Sequence, residues 1–335
     1  MKSPETPDAV DAVITWVDGS DPSLRKKQEF YFPLSDGHGP TSRTRFASNG
    51  EIKWCVASIL KFGKYFRNIF IITDNQTPEI LSQLEFVFKK EDLNKIRIID
   101  HNEIFRGYEE YLPVFNSLAI ETMIHRIVGL SEKFVYFNDD IFLMKESQPD
   151  DFFVASNAVL RCRTRSEITY NIIRQFETRW RRKPIDFFSS RGVQYNAAKV
   201  AGFRGKYLRH DHTPHPMDTR LLEDFYNRNP EAVVSNIRYR VRDYRQFDPI
   251  ALSYCLSYRN DAPVIDDTSF LYAQFGKSSG NGAKYFARKF DDLGSKDYLY
   301  SCLQSLDLLP AEQLTELETW LDERFLGRDD LDLLP

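Results

Sequence analysis

The chain has 335 residues, with 45 lysines and arginines against 49 aspartates and glutamates and a formal net charge of −4. Its 42% apolar and 28% charged residues are ordinary for a folded globular chain and exclude disordered or collagen-like classes. At roughly 150 residues per domain, the length predicts two domains or one large domain with a covering lobe.

The first element is Ala9–Val17 (AVDAVITWV), a β-branched apolar run closed by the turn cluster Asp18-Gly19-Ser20-Asp21-Pro22, which predicts a buried strand. A polar loop with Gly37, Gly39 and Pro40 is expected next. Ile52, Val56, Ile59, Leu60 and Phe62 then recur at a helical period, and Gly63 stands at the stop position. Residues 68–73 (NIFIIT) predict a second strand, and residues 78–90, opened by Pro78, a helix. Residues 95–99 (KIRII) predict a third strand, residues 117–127 a helix, and residues 133–137 (KFVYF) a fourth strand running into Asn138-Asp139-Asp140. This alternation predicts an α/β fold with a mainly parallel sheet. Ligands of such sheets bind beyond the carboxyl ends of the strands, where Asp18, Asp74, Asp100, Asp139 and Asp140 all fall. After residue 150 the alternation stops, and a mixed, Arg-rich lobe is expected. Leu314, Leu317, Leu321 and Phe325 predict an amphipathic helix at the end. The expected division is 9–150, 151–210 and 211–335.

The net charge hides a split. Residues 161–245 hold 19 lysines and arginines against 9 acids, a local +10, and the remainder carries −14. An Arg-rich middle suits an anionic substrate, although a solvated basic face is the simpler reading of composition. No apolar run approaches the roughly 18 residues of a membrane-spanning helix. The opening MKSPETPDAVDAV lacks the order of a secretory leader, so a cytoplasmic location is expected. Cys55, Cys162, Cys255 and Cys302 form no CxxC pair and read as buried hydrophobes.

Several constellations carry chemistry. The adjacent carboxylates Asp139 and Asp140 suit Mg²⁺ or Mn²⁺ that keeps waters and a diphosphate, or a turn cap. His210, His212 and His215 fall within six residues, with Pro214 and Pro216 holding the backbone extended in an expected loop. They suit a general base, or are two surface loop histidines. Ser117 and Glu121 lie four apart on one helix face, or are a cap and an exposed charge. Arg238, Arg240 and Arg242 alternate at strand spacing and would line one face toward a diphosphate, or toward solvent.

In this order the segments resemble the Stealth family of sugar-phosphate transferases, which includes bacterial capsular polysaccharide phosphotransferases and the α/β subunit precursor of the lysosomal-enzyme GlcNAc-1-phosphotransferase. The resemblance rests on DAVITWVDGSDP (11–22), and on RFASNGEIKWCVASI (45–59) through NIFIITDNQTPE and IRIIDHNEIF to LPVFNSLAIETMIHRIVGLSEKFVYFNDDIFL, ending at 143. It continues in HTPHPM (212–217) with the arginines near Arg242, and more weakly in ETWLDERF.

The resemblance implies a GT-A-like nucleotide-sugar fold with a mixed helical covering lobe. It implies transfer of a hexose 1-phosphate, an N-acetylhexosamine 1-phosphate by expectation, from a UDP-sugar to a hydroxyl of an oligo- or polysaccharide acceptor, with release of UMP. By position, Asp139 and Asp140 match the family's metal-holding pair. Glu121 and Ser117 would contact sugar or phosphate, His212 would be the general base with His215 second, and Arg242 would grip phosphate, with Arg240 as the alternative. Trp16, Asp18, Asp21, Arg45 and Asn49 would line the nucleotide pocket, while Asp291-Asp292 is the nearest match to a further Asn-Asp pair. Part of the local +10 then faces the diphosphate. The resemblance also implies a peripheral place at the inner face of the cytoplasmic membrane beside capsule export machinery, whereas the net charge of −4 predicts no bulk attraction to nucleic acid or to an anionic membrane. The rival readings are a GT-A glycosyltransferase that releases UDP and a non-catalytic saccharide-binding module.

Overall fold

Ala12, Val13 and Ile14 have no exposed surface, as a strand covered on both faces requires. They lie in β1 (Val10–Thr15) of a computed structural model that describes residues 9–32, 45–79, 81–182, 184, 187–266, 269–276 and 282–327. β2 (Phe66–Thr73) and then β3 (Ile96–Asp100) extend the sheet on one side, and β4 (Lys133–Asn138) pairs on the other, all parallel. After β4 come β5 (Ile141–Leu143), β6 (Leu160–Ser166), β7 (Lys206–His210) and β8 (His215–Asp218). β8 joins the main sheet antiparallel to β4, giving the order β8-β4-β1-β2-β3. Its Pro216 is tolerated because an edge strand leaves one side unpaired. β6 and β7 pair antiparallel in a second sheet. β9 (Phe270–Gln274) and β10 (Tyr300–Gln304) pair in parallel, with β5 antiparallel to β10. The fold is thus α/β with a mainly parallel core, and the expected strands appear as β1 to β4.

The helices are α1 (Pro22–Tyr31), α2 (Glu51–Phe62), α3 (Ser117–Met123), α4 (Glu167–Arg179), α5 (Ser190–Val200), α6 (Thr219–Arg228), α7 (Pro230–Ile237), α8 (Pro249–Tyr258), α9 (Gly282–Ser295) and α10 (Ala311–Leu326), with short turns between. The helical periods at 52–63, 117–127 and 311–325 appear as α2, as α3 followed by a 3-10 turn over Ile124–Arg126, and as α10.

Three local expectations are corrected. Residues 78–90 form no continuous helix but separate turns at Leu81–Leu84 and Lys90–Leu93, although Leu84 and Phe88, four apart, both pack on the core. α1 occupies part of the stretch read as turn and loop, with Asp21 as its N-cap accepting from Leu24 N at 2.8 Å. Gly37, Gly39 and Pro40 lie outside the described residues. The Arg238–Arg242 segment is a loop, not a strand, because its backbone is held by a side-chain network described below.

Two buried charges tie the core sheet together. Asp11, fully buried, accepts from Arg67 Nε at 3.0 Å, Arg67 Nη2 at 2.6 Å, Asn68 N at 3.0 Å and Ser131 N at 2.7 Å, joining β1 to β2 and to the entry of β4. Lys133 of β4 ion-pairs with Asp218 of β8, and Asp218 also caps α6. All four cysteines are buried and unpaired. Among the described residues no helix is long and apolar enough to cross a membrane.

Candidate active site

The parallel register aligns the strand ends: Thr15 stands opposite Ile72 and Asn138, and Thr73 opposite Asp100. A cleft of about 1690 Å³ opens at that edge, walled on the far side by the β6–β7 lobe and by β9 and β10. Trp16, Arg45, Ser117, Glu121, Asp139, Asp140, His212, His215 and Arg242 all line it. Segments far apart in sequence therefore meet in one place.

Asp139 and Asp140 form the tight turn between β4 and β5. Burial and the neighbouring Asp140 charge push Asp139 well above the usual carboxylate range. Burial pushes Asp140 up to about 6, against the holding effect of Gln304 and Cys302. Asp140 Oδ1 has no hydrogen-bond partner. Crowded carboxylates of this kind, with an orphaned oxygen, are the donor chemistry of a hard divalent cation that keeps several waters. The pair fits Mg²⁺ or Mn²⁺. Among the described residues, no group of three or more His, Cys, Asp or Glu side chains is gathered as a complete metal cage. Glu51, at the start of α2, also lines the cleft, and burial raises it to about 7.

The wall opposite is basic, and a buried amide network sets it. Asn116 caps α3 through Leu118 N and donates from Nδ2 to Tyr239 O and Val241 O at 3.2 Å and to Gln246 Oε1 at 2.7 Å. Gln246 Nε2 donates to Asn236 O at 2.7 Å, and Phe115 N to Arg240 O at 2.7 Å. The loop so fixed delivers Arg242, whose Nη2 donates to Ser117 Oγ at 2.6 Å. Arg242 Nε is buried without a partner. Glu121 lies beside it, with Oε1 3.1 Å from Tyr136 Oη. Burial and the Asp248 carboxylate raise Glu121 to about 7, against Arg242.

The histidines divide into different kinds. His210 closes β7 with Nε2 3.0 Å from Asp248 Oδ2 and Nδ1 3.1 Å from Asp211 O. Burial opposes its charge, but Asp248 outweighs burial and its pKa is raised. His215 is not in a loop: it starts β8, is buried, sits 3.0 Å through Nδ1 from Tyr254 Oη and packs edge-on to His210 at 4.6 Å. Burial, then the His210 charge, hold it far below the usual imidazole range. His212 is exposed at the cleft wall, stacked on Tyr272 with centroids 5.1 Å apart and planes at 11°. Gln304 Nε2 lies 3.5 Å from its Nδ1, and Tyr272 Oη donates to Gln304 Oε1 at 2.9 Å. Loss of water within the cleft lowers its pKa, and the His210 and Arg242 cations lower it further, so His212 is neutral at neutral pH.

Four expected residues stand outside the cleft lining. Asp21 is spent as the α1 cap. Asp18 accepts from Ser20 N and Oγ at 2.7 and 2.8 Å, closing its own turn. Asn49 donates its backbone N to Glu51 Oε2 at 2.6 Å ahead of α2. Arg240 donates from Nη1 to Tyr111 O at 2.8 Å and Pro113 O at 3.0 Å and lies over the Tyr31 ring; it points away from Arg242 because the segment is not a strand. Gly19 brings Arg45 to the cleft: its N donates to Phe46 O at 2.8 Å, and a Cβ there would stand 2.1 Å from that oxygen. Sequence reasoning missed Gln194, whose Nε2 lies 3.2 Å from His210 Nε2, and Asp248, Tyr272 and Gln304. Only the Gln274–Gln304 pairing of two parallel strands reveals the last two. Asp291 lies on α9 and does not line the cleft, and Asp292 pairs with Lys296 on the same helix.

Residues 8–31 match the model of Stealth protein conserved region 1, and residues 45–160 that of conserved region 2. The capsular polysaccharide phosphotransferase cps1A of Actinobacillus pleuropneumoniae is 43% identical over 150 residues, which are 44% of this chain and 39% of that protein. The exopolysaccharide phosphotransferase SCO6021 of Streptomyces coelicolor is 31% identical over 256 residues, 74% of this chain and 43% of that one. The chain thus spans about two-fifths of the length of the curated relatives it matches. The WbbM bifunctional glycosyltransferase structure overlaps 97% of this chain and 52% of that one, at 10% identity and a TM-score of 0.45. Ser117, Glu121, Asp139 and Asp140 fall inside conserved region 2, whereas His212, His215 and Arg242 lie beyond both matched regions. Stealth conserved regions 1 and 2 thus stand in order over residues 8–160 of this chain.

Proposed function

We propose that this protein transfers a hexose 1-phosphate, an N-acetylhexosamine 1-phosphate by preference, from a UDP-sugar to a saccharide hydroxyl. UMP leaves, and the product is a phosphodiester of a capsular or cell-surface polysaccharide. The observation that carries this reading is the meeting, in one cleft, of the Asp139–Asp140 pair with Arg242, Glu121 and a neutral His212. The names of the curated relatives, capsular and exopolysaccharide phosphotransferases, support it.

Asp139 and Asp140 would hold Mg²⁺ or Mn²⁺, which neutralises diphosphate charge when bound. Arg242 lines the cleft and brings its cation to the phosphoryl oxygens, while Ser117 fixes one end of the guanidinium. Arg45, at the rim, adds a second cation, and Trp16 lines the nucleotide side. Glu121, held by Tyr136, orients sugar hydroxyls. His212 takes the proton of the acceptor hydroxyl as its oxygen bonds to the β-phosphorus. The bond from that phosphorus to the bridging oxygen breaks, and the electron pair departs on UMP. The second histidine of the motif, His215, is buried against Tyr254 and acts behind His212. The location that goes with this role is the cytoplasm, peripherally at the membrane where capsule is assembled.

The test is the nucleotide released when the purified chain meets a panel of UDP-sugars, Mg²⁺ and a saccharide acceptor. UMP is expected. UDP would mean attack at the anomeric carbon and an ordinary glycosyltransferase, and no turnover with any donor would favour a binding module.

A further inference from the structure

α4 turns its polar side inward. Glu177 is buried against Arg191 Nη2 at 3.2 Å, Arg174 donates to Phe187 O at 3.3 Å and lies over that ring, and Tyr170 stacks on Tyr195 at 4.3 Å. Glu167 accepts from Tyr195 Oη and from Gly205 N. The opposite side is apolar and faces solvent. Ile168, Ile172, Phe176 and Trp180 recur every fourth residue, 70%, 61%, 51% and 72% exposed, with Ile173 beside them. A surface helix normally does the reverse, and an exposed contiguous apolar stripe of this kind marks an interaction surface.

Charge identifies the occupant. Both acids of α4 are engaged inward, whereas Arg179, Arg181 and Arg182 stand exposed at the Trp180 end, and Arg165 just before the helix is also exposed. An apolar stripe rimmed by arginines and carrying a tryptophan is the pattern of a helix lying in a lipid interface. A second copy of this chain would instead bring the same arginines together. We propose that α4 is a membrane-docking helix, lying in the surface of an anionic bilayer with Ile168, Ile172, Phe176 and Trp180 inserted. This deepens the peripheral location proposed above and does not depend on which reaction the cleft performs. Because α4 follows β6, whose Arg163 lines the cleft, docking holds that wall of the cleft at the lipid surface, where a membrane-borne acceptor would present its hydroxyl.

The test is co-sedimentation of the full chain with vesicles of phosphatidylglycerol and phosphatidylethanolamine, and with vesicles of phosphatidylcholine alone. Binding to the anionic vesicles is expected, with Trp180 emission moving to shorter wavelength, a shift absent in Trp180→Phe. Ile172→Ser/Phe176→Ser/Trp180→Ser and Arg179→Gln/Arg181→Gln/Arg182→Gln should each bind at least roughly tenfold more weakly. Because the replaced side chains are exposed, both variants should keep the wild-type unfolding temperature and activity on water-soluble substrates. Absent binding, equal binding to both vesicle types, or binding unchanged in the variants overturns the proposal. So does a vesicle-independent dimer that the serine variant abolishes, which would assign the stripe to a second copy. A chain that docks but releases no UMP leaves the docking standing and removes the phosphotransfer reading; a chain that releases UMP without docking does the opposite.

Discussion

Three histidines within six residues have three different fates, and the difference is physical. His210 is largely buried beside a carboxylate, which raises its pKa; His215 is buried beside a hydroxyl and its pKa is held far down; His212 stands on the cleft wall between cations and is neutral there. Ring titration followed by NMR should place His210 above 6.5, the ordinary histidine value, and His212 below it. Both on the same side would contradict the electrostatics drawn here. His212→Ala should lower kcat by about 10²–10⁴-fold, the range of a lost general base. The unfolding temperature and the donor KM should scarcely move, because the ring is exposed. The His210–Asp248 pair works on stability. Since the folded His210 pKa is raised, its contribution is complete below the unfolded value and is lost as pH rises through the folded one. Asp248→Asn should therefore cost more in unfolding temperature at pH 6 than at pH 9. The sequence displayed the histidine cluster but not this division, because Asp248 and Tyr254 lie some forty residues downstream and no spacing rule connects them.

At the scale of elements, apolar runs made β1 to β4 legible, and the acidic turn after β4 followed from them. What failed was whatever depends on neighbours. Residues 78–90 have helix-forming composition but break into two short turns. Arg238, Arg240 and Arg242 alternate like a strand, yet Asn116 Nδ2 takes Tyr239 O and Val241 O and Phe115 N takes Arg240 O, backbone groups that a sheet would have used. That capture sends Arg240 to Tyr111 and Pro113 and Arg242 to Ser117. The β4–β8 junction offers a test of how the edge strand is held. Asp218→Ala leaves the buried Lys133 ammonium with Glu132 alone, at 3.3 Å, and removes the α6 cap, and should cost roughly 3 kcal/mol in urea unfolding. Lys133→Met leaves the cap in place and should cost less. Equal costs would show that the cap contributes nothing.

Across the whole molecule, the cleft draws on residues from Thr15 to Leu308, so its contents could be guessed from motifs but its closure could not. The basic middle of the chain has two destinations. Arg163, Arg209 and Arg242 line the cleft, while Arg179, Arg181 and Arg182 stand exposed near the apolar stripe of α4. Chelating divalent cations should stop turnover and adding Mg²⁺ should restore it, whereas in Asp139→Asn/Asp140→Asn the restoring concentration should rise by at least roughly tenfold. Full activity in the chelated chain would remove the metal from the account. The central claim is that the acceptor attacks the β-phosphorus and the sugar keeps its own anomeric oxygen. A UDP-sugar carrying ¹⁸O between the anomeric carbon and the β-phosphorus decides this when phosphorus NMR follows the label. The account predicts ¹⁸O in the product phosphodiester together with unlabelled UMP; ¹⁸O leaving in UDP would contradict it.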